Sequence, residues 1–287
     1  MKLAVISDVH GNMPALRVVL EHIECWGPDN LIVNGDLINR GPYSLQALQL
    51  VLEKFPDALF LKGNHENFVL NCGTEEEPKS GAVFEMRRFS HWTYAQVAPE
   101  IDRIASWDDG MDLSDLDGGT IHITHGTRLG DRDGITPRTE DHELPEKIGS
   151  DKDIFITSHT HWPFIRSFNG TTVINSGSVG TPFDRDYRSS YAQMSYSRGR
   201  WQAEIIRLDY DRSEAERDFE MSGFMDAGGP ITQLMLMELR HARGFIGSWL
   251  RDYETAVIKG DISIERSVEV HLEKMLGSQF SQKLVSV

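Results

Sequence analysis

An apolar run that ends in an acid and an imidazole constrains this chain more than any other feature. Leu3-Ala4-Val5-Ile6 has the composition of a buried strand, and Asp8 and His10 follow it. Side chains two residues apart on an extended segment point to the same side. A strand that ends near Ile6 therefore brings a carboxylate and an imidazole to one point. Donors of these two kinds together suit a divalent transition metal.

The same arrangement recurs four times along the chain. Each time, a short apolar run precedes side chains that can bind a metal, close to a glycine or a turn. These later donors are Asp36, Asn64 with His65, His125, and His159 with His161. We predict that the five strand ends meet around two metal ions. His122 lies inside a strand, two residues before His125, and is interpreted as structural.

Composition narrows the class of protein. The 287 residues are 39% hydrophobic and 25% charged, which is typical of a globular chain with a sizeable core. A formal charge of −15 argues against binding of long nucleic acid, which needs a basic surface. Neither Cys25 nor Cys72 lies in a metal-binding spacing, so reduced thiols and a cytoplasmic location are expected. No signal peptide or membrane segment is predicted.

Strands and helices alternate at the start of the chain. Helical stripes separate the apolar runs near residues 3, 31 and 58, which predicts a βαβαβ unit with a parallel sheet. Residues 67–107 are predicted to be mostly helical. The aromatic and basic helix around residues 84–94 is expected to pack on the sheet, with a substrate-facing role as the alternative. Four later runs within residues 164–208 predict an antiparallel meander, with turns at Asn169-Gly170 and Arg198-Gly199.

The pattern changes near Tyr210. We therefore predict one domain over residues 1–210 and a helical extension over residues 211–287. Apolar residues from Ile231 to Leu250 recur at helical spacing and predict one long helix, and a last helix is expected from about Ser267 to Leu276. The extension contains no convergent donors. It is interpreted as a packing element or a homo-oligomer interface, with a lid as an alternative.

Five motifs in this order resemble those of the calcineurin-like metallophosphoesterase superfamily. The family pattern is Asp-x-His, Gly-Asp, Gly-Asn-His-(Asp/Glu), His and Gly-His-x-His. The corresponding segments here are Asp8-Val9-His10, Gly35-Asp36, Gly63-Asn64-His65-Glu66, His125-Gly126 and Ser158-His159-Thr160-His161. The resemblance covers about residues 1–208. It implies an α/β fold, a four-layer αββα sandwich of two mixed sheets with flanking helices, to which the C-terminal helices are added.

The resemblance also implies the metal ligands. One ion would be held by Asp8, His10, Asp36 and His161. The other would be held by Asp36, Asn64, His125 and His159, with the Asp36 carboxylate bridging the two. Mn²⁺ is the expected metal, and Fe, Zn, Ni or Co are alternatives. Such a pair converts water to a hydroxide that attacks phosphorus in line.

Three further residues are implied to be catalytic. His65 would protonate the leaving group or position the phosphoryl oxygens. Residues 35–41 resemble the Gly-Asp-x-x-Asp-Arg-Gly segment of Ser/Thr protein phosphatases, with Asn39 where those enzymes have an Asp that pairs with the catalytic His. Arg40 would bind phosphate bidentately, or else form a surface ion pair. The Asn variant is similar to the YfcE-like bacterial phosphodiesterase branch. Ser158 replaces the usual Gly of the last motif.

A polar loop after His125 supplies further candidates. Arg128 and Arg132 are predicted to contact the remainder of a phosphate substrate, and Arg138 follows in the same loop. Because Asp131 and Asp133 are interleaved with them, a solvated loop is an equally good interpretation.

These observations predict a metal-dependent phosphoesterase. It would act on small phosphodiesters or phosphomonoesters of nucleotide type, with a small phosphorylated molecule as its partner. A Ser/Thr-type phosphoprotein phosphatase is the first alternative. A scaffold of the same fold that has lost catalysis is the second, and it ranks lower because the ligands and His65 are all present.

Overall fold

The structure, a computed structural model, describes residues 1–114 and 119–277. Ten strands form two five-stranded mixed sheets, with strand orders β10-β9-β1-β2-β3 and β4-β5-β6-β8-β7. The strands are β1 Lys2–Ile6, β2 Asn30–Asn34, β3 Leu59–Leu61, β4 Gly110–Leu113, β5 Ile121–Thr124, β6 Ile154–Thr157, β7 Phe164–Phe168, β8 Thr171–Asn175, β9 Ser189–Ser197 and β10 Arg200–Leu208.

Eleven α-helices occur in the described part of the chain. They are α1 Met13–Trp26, α2 Ser44–Lys54, α3 Asn64–Asn71, α4 Gly81–Val97, α5 Ile101–Ala105, α6 Leu144–Ile148, α7 Arg212–Met221, α8 Phe224–Ala227, α9 Ile231–His241, α10 Ile246–Lys259 and α11 Ile264–Leu276. Within the residues described, no helix combines the length and apolar character needed to span a membrane.

The central strands are apolar on both faces because each face packs on a different layer. In β1, Leu3 and Val5 face the core between the two sheets, which also includes Ile123 and Ile156 of the second sheet. Ala4 and Ile6 face the core under the helices of the first sheet. A smaller cluster covers the outer face of the second sheet. The layers are therefore helix, sheet, sheet, helix, as predicted.

The βαβαβ prediction is confirmed, since β1 pairs in parallel with β2 and β2 with β3. The meander prediction is wrong. The turns at Asn169-Gly170 and Arg198-Gly199 do form, with positive φ at both residues of each, but β7–β8 belongs to one sheet and β9–β10 to the other. Residues 176–188 carry the chain between the sheets and pass the end of β1, where the Val179 N–H donates to the Ser7 carbonyl.

The C-terminal helices share an apolar core with α4. Met86 and Phe89 of α4 cluster with Phe219, Leu234 and Trp249 of the extension. The single helix predicted from Ile231 to Leu250 is instead two helices. Ala242 adopts a left-handed conformation with φ of 46°, which ends α9 and turns the chain toward α10. The last helix begins at Ile264, three residues earlier than expected.

Helix α4 joins the core on the first sheet through its C-terminal end, where Val97 belongs to the same buried cluster as residues of β1 and β2. It packs against α2, α3 and α8 and forms part of the wall above the ends of the first sheet's strands. Both cysteines are free thiols, with Cys25 exposed and Cys72 buried, and no disulfide joins them. His122 bonds through Nδ1 to Asp112 on the neighbouring strand at 2.6 Å, as a structural residue would.

Candidate metal centre

The carboxyl ends of five strands converge on one buried point. From the first sheet, β1 leads to Asp8 and His10, β2 leads to Asp36, and β3 leads to Asn64 at the start of α3. From the second sheet, β5 leads to His125, and β6 leads to His159 and His161. All seven predicted ligands are therefore brought together where the edges of the two sheets meet.

The backbone at this point is in an unusual conformation. Asp8, His10, Asp36, His159 and His161 all have φ between 51° and 60°. Asn39 and Arg40 also have positive φ, at 70° and 63°. Non-glycine residues rarely adopt this left-handed region, and each such residue costs about 1–3 kcal/mol unless its surroundings compensate. Side chains are thus turned toward the centre at the expense of local backbone energy.

The first group of donors comprises Asp8, His10 and His161, whose ligand atoms lie within 4.8 Å of one another. Asp8 Oδ1 is 3.0 Å from His161 Nε2. His10 Nε2 lies 3.4 Å from His161 Nε2. Asp8 Oδ1 and His10 Nδ1 are buried without a hydrogen-bond partner in the described structure. Two imidazole nitrogens and an unpartnered carboxylate oxygen that face each other are arranged as the ligands of one cation.

The second group comprises Asp36, His125 and His159. Asn64 joins it, because its Oδ1 is 3.2 Å from His125 Nε2 and 2.9 Å from His159 Nδ1. Asp36 Oδ2 lies 3.3 Å from His125 Nε2 in this group and 3.8 Å from His10 Nε2 in the first. One carboxylate oxygen thus lies between the two groups, where a bridging ligand belongs.

The tautomers of two histidines are fixed by backbone carbonyls. His125 Nδ1 donates to the Asn34 carbonyl at 2.9 Å, and His161 Nδ1 donates to the Thr181 carbonyl at 2.5 Å. A carbonyl only accepts, so each ring carries a proton on Nδ1 and presents Nε2 to the centre. Metal-binding histidines in proteins are usually held in this way. The donor set therefore fits two transition metal ions.

The pKa values of Asp36 and His125 indicate that the buried centre favours a positive charge. Burial would raise the pKa of Asp36, but attraction to His125 holds it well below its usual range. Burial likewise opposes protonation of His125, yet attraction to Asp36 raises the pKa of His125 to about 10. Without an ion, a proton on His125 thus supplies the charge that a metal would otherwise bring.

Glycine and glutamate shape the approach to Asp36. A Cβ at Gly63 would lie 2.2 Å from Asp36 Oδ1, so no larger residue fits there. The Glu66 carboxylate accepts N–H bonds from Gly63 and Asp36 at 2.8 and 2.7 Å, and from Ile38 at 3.2 Å. It ties the loop after β2 to the start of α3. Its position in the Gly-Asn-His-Glu motif is the sequence signal for this role.

His65 stands beside the metal ligands and is oriented by Asn39. The Asn39 Nδ2 donates to His65 Nδ1 at 3.0 Å and to Ser90 Oγ at 3.0 Å. The Asn39 Oδ1 accepts from Thr93 Oγ1 at 3.2 Å. An amide nitrogen can only donate, so His65 Nδ1 is unprotonated and Nε2 carries the proton. Burial lowers the pKa of His65 to about 3. His65 is therefore a neutral donor with its N–H on Nε2.

Arg40 lines the same cavity and forms an ion pair with Glu238 at the end of α9. Its guanidinium lies 5.7 Å from the ring centroid of Phe183, which stacks on His161 at 4.2 Å. The surface ion pair considered for Arg40 is thus a buried one. Nothing in residues 231–241 marked Glu238 in advance, because its partner is 198 residues away.

The two predicted substrate arginines lie in different places. Arg128 donates to the Ile148 carbonyl at 2.9 Å and to Asp151 at 2.5 Å, so the structure does not bring it to the centre. Arg132 lines the cavity, with its guanidinium 5.4 Å from the centroid of Phe68. Arg138 lies over Trp162, at 5.3 Å from the ring centroid.

A cavity of about 740 Å³ opens over the predicted ligands. Its floor includes Asp36, Asn64, His65, His159 and His161. One side is formed by α4 and the facing side by α10, together with the turn that precedes it. The sequence leaves a substrate-facing role for α4 and a lid role for the C-terminal extension only as alternatives to packing, and the structure places both α4 and α10 at the cavity.

The chain is similar to known proteins in sequence and in fold. The family model for calcineurin-like phosphoesterases matches residues 1–190. An uncharacterised protein of Methanocaldococcus jannaschii is 25% identical over 235 residues, which cover 74% of this chain and 89% of the relative. A symmetrical bis(5'-nucleosyl)-tetraphosphatase of Aromatoleum aromaticum is 32% identical over 131 residues, 44% of each protein. A crystal structure of a metallophosphoesterase from Sphaerobacter thermophilus has the same fold, with a TM-score of 0.66, 24% identity, and coverage of 84% of this chain and 99% of that one.

Proposed function

The chain belongs to the calcineurin-like phosphoesterase family and is a metal-dependent hydrolase of phosphate esters, and from this premise we propose its more specific activity. The proposed reaction is hydrolysis of small phosphodiesters or phosphomonoesters of nucleotide type at a centre of two divalent ions, Mn²⁺ being the expected metal. The proposed setting is the cytoplasm.

One observation supports this proposal above the others. The Asp36 Oδ2 lies between the donor groups around His10 and His125. Its partner oxygen Oδ1 accepts the His65 backbone N–H at 2.9 Å, which leaves Oδ2 free to serve both groups. Asp8, His10 and His161 would hold one ion, and Asn64, His125 and His159 the other. When bound, such a pair supplies Lewis acidity and lowers the pKa of water.

The remaining residues act on the phosphoryl group and its substituents. His65 presents a neutral Nε2–H toward the cavity, so it is suited to donate a hydrogen bond to a phosphoryl or departing oxygen. Asn39 keeps that proton on Nε2. The guanidinium of Arg40 has N–H groups beyond the one that Glu238 binds, and these are available to phosphoryl oxygens. His65 is therefore a positioning donor in this proposal more than an acid.

Removal and return of metal tests the proposal. Protein treated with a chelator and then desalted should lose hydrolysis of bis-p-nitrophenyl phosphate, and Mn²⁺ should restore it. An Asp36→Asn variant should bind less metal and lose roughly 10²–10⁴-fold in kcat/KM. Full activity in the chelated protein, with metal analysis showing none bound, would contradict the proposal.

A phosphoprotein phosphatase remains the second candidate, because residues 35–41 and 63–66 resemble that class. The position of α10 weighs against it, since this helix walls the cavity where a folded protein substrate would have to approach. Turnover of a phosphoserine peptide and of a phosphodiester by the same metal-loaded sample separates the candidates. Faster turnover of the peptide would favour the phosphatase.

A further inference from the structure

The cavity continues from the predicted metal ligands into a space between two helices. The residues that line this space have no role in the proposed reaction. On one side are Val83, Met86 and Phe89 of α4. On the other are Ile246 and Leu250, which belong to α10. Apolar side chains predominate at this end of the cavity, which Arg87, Arg251 and Glu254 also line, whereas its floor carries carboxylates and imidazoles. Binding sites for organic molecules in proteins usually combine an apolar lining with a few polar groups. Their volumes are roughly 300 to 1,000 Å³.

The charge of the cavity differs from that of the whole protein. The chain has a formal charge of −15, whereas the cavity lining combines the arginines Arg40, Arg87, Arg132 and Arg251 with the carboxylates of Asp36, Glu238 and Glu254. Arg87 pairs with a glutamate outside the lining, at position 77. Within the part of the chain that the structure describes, Arg132 has an aromatic neighbour and no carboxylate partner. Arg132 is therefore available to an anionic group of a ligand.

One position on α10 shows that this space is open. Gly247 lines the cavity, and a Cβ built on it would meet no atom within 4 Å. Its φ is not in the left-handed region, so a side chain can be added without backbone strain. Trp249, which is 1% exposed, packs in the core beside it and donates from Nε1 to Ser267 Oγ at 3.1 Å. Trp249 thus holds α10 against the core, while the face of α10 that includes Gly247 stays open.

We propose that the space between α4 and α10 is a subsite for the organic part of the substrate, which is a phosphate ester carrying a largely apolar group of nucleoside size. The inference rests on the proposed function and extends it, because it assigns substrate selection to the C-terminal helices. The phosphoryl group lies at the predicted metal ligands, and the organic group lies against Leu250 and Phe89. Arg132 is placed to meet a second anionic group of the same molecule.

Two diesters that release the same leaving group test this subsite. Methyl p-nitrophenyl phosphate and thymidine 5′-(p-nitrophenyl phosphate) lose nitrophenolate from the same kind of phosphorus and differ in the retained group. Mn²⁺-loaded protein should show a kcat/KM about 10–100-fold higher for the thymidine ester, as expected from burial of roughly 50–110 Å² of apolar surface. In Gly247→Leu, that ratio should fall toward 1.

A control and a second variant complete the test. Thr255→Leu adds a similar side chain to an exposed position of the same helix outside the lining, and should keep the wild-type ratio. If Gly247→Leu does not fold, Leu250→Trp fills the same space from a partly buried position. Equal kcat/KM for the two esters in wild type, or an unchanged ratio in the filled variants, overturns the subsite. Absence of hydrolysis of both esters would instead count against the proposed function.

A different observation supports a second inference, concerning Glu238. This side chain is 1% exposed, pairs with Arg40, and accepts the backbone N–H groups of Phe245 and Ile246 at 2.7 and 2.9 Å. A buried carboxylate with three donors from its own chain has little capacity left for a ligand. The turn it holds also reaches the site, since Gly244 lines the cavity and a Cβ on it would lie 3.7 Å from the ring of Phe183.

We infer that Glu238 is a positioning residue, which fixes the guanidinium of Arg40 toward the phosphoryl group. Long arginine side chains sample many rotamers, so a buried partner on a separate helix restricts Arg40 to one direction. The C-terminal helices would then act on the phosphoryl group through Arg40 as well as on the organic group.

A double-mutant cycle tests this role. Glu238→Gln keeps the size of the side chain and should lower kcat/KM for methyl p-nitrophenyl phosphate about 5–50-fold, mainly through KM. In an Arg40→Ala background the same change should cost less than about twofold, because its target is gone. Glu238→Asp, which keeps the charge, should recover part of the loss. Glu216→Gln, which breaks the ion pair with Arg240 away from the cavity, is the matched control.

Additive losses in the double variant, or wild-type kinetics in Glu238→Gln, would overturn the assignment. A purely structural role would lower the melting temperature alike in both backgrounds without changing KM. If Glu238→Gln does not fold, Glu238→Asp replaces it in the same double-mutant cycle.

Discussion

Replacement of Asn39 by Asp changes one heavy atom and reverses the hydrogen bond that orients His65. In the wild type the Asn39 amide donates to His65 Nδ1, and the ring proton is on Nε2. A carboxylate at position 39 would accept from Nδ1 instead. A neutral His65 would then have a lone pair on Nε2, facing the cavity without a proton, and only the imidazolium form would keep a donor there.

The size of the effect follows from the pKa of His65, which burial lowers to about 3. A carboxylate in contact raises the pKa of a histidine by about 1–3 units, which places it near 4–6 in the variant. At pH 7 about 0.1–10% of the molecules would then carry the required Nε2–H as imidazolium. We therefore expect Asn39→Asp to lose about 10–1,000-fold in kcat/KM at pH 7.

The activity of Asn39→Asp relative to wild type should increase as the pH falls. Because the imidazolium form increases as pH falls, the ratio of variant to wild-type kcat/KM should rise about tenfold per pH unit down to the new pKa. The assay is hydrolysis of bis-p-nitrophenyl phosphate by metal-loaded protein between pH 5.5 and 8.5. Asn39→Ala, which leaves the tautomer free, should lose less than the Asp variant at pH 8. A variant as fast as wild type at pH 7–8 would refute the reasoning.

Three further outcomes are expected. Gly63→Ala should displace Asp36, because the new Cβ would overlap Oδ1, and kcat/KM should fall about 100-fold with a lower metal content by elemental analysis. Metal binding at pH 7 should release a proton from His125, whose pKa is raised to about 10, so an unbuffered titration should turn acidic and affinity should increase with pH. Burial raises the pKa of Glu66 to about 7, above its unfolded value near 4.5, so in chelated protein its stabilising contribution is present below pH 4.5 and lost as pH rises through 7. Glu66→Gln should therefore remove up to about 3 kcal/mol of that decline in the free energy of unfolding, as measured by urea titration.

The convergence of the predicted donors could be foreseen from sequence because they follow strands whose apolar runs are visible locally. Asp8 and His161 are 153 positions apart, yet each comes just after such a run. Parallel strands end at a common edge, so position along the chain translates directly into position in space. The resemblance assigns the donors to two metal ions. In the structure they lie in two corresponding groups, one around His10 and one around His125.

Features that depend on distant partners could not be predicted in this way. The break after α9 occurs at Ala242, although Gly244 and Gly247 are nearby, because Glu238 accepts the Phe245 and Ile246 N–H groups and begins a new helix. The assignment of β7–β8 and β9–β10 to different sheets is invisible in two hairpin patterns that look alike. Arg128 and Arg132 occur in one loop, and only packing against residues 148 and 151 separates their roles.

The left-handed residues around the centre affect the stability of the protein when no metal is bound. A chain that bends its own backbone to gather Asp8, Asp36 and His161 is weakened until cations occupy the pocket. Ions that bind the native form alone then act as a folding cofactor as much as a chemical one. Removal of the ions should therefore lower the free energy of unfolding of the protein.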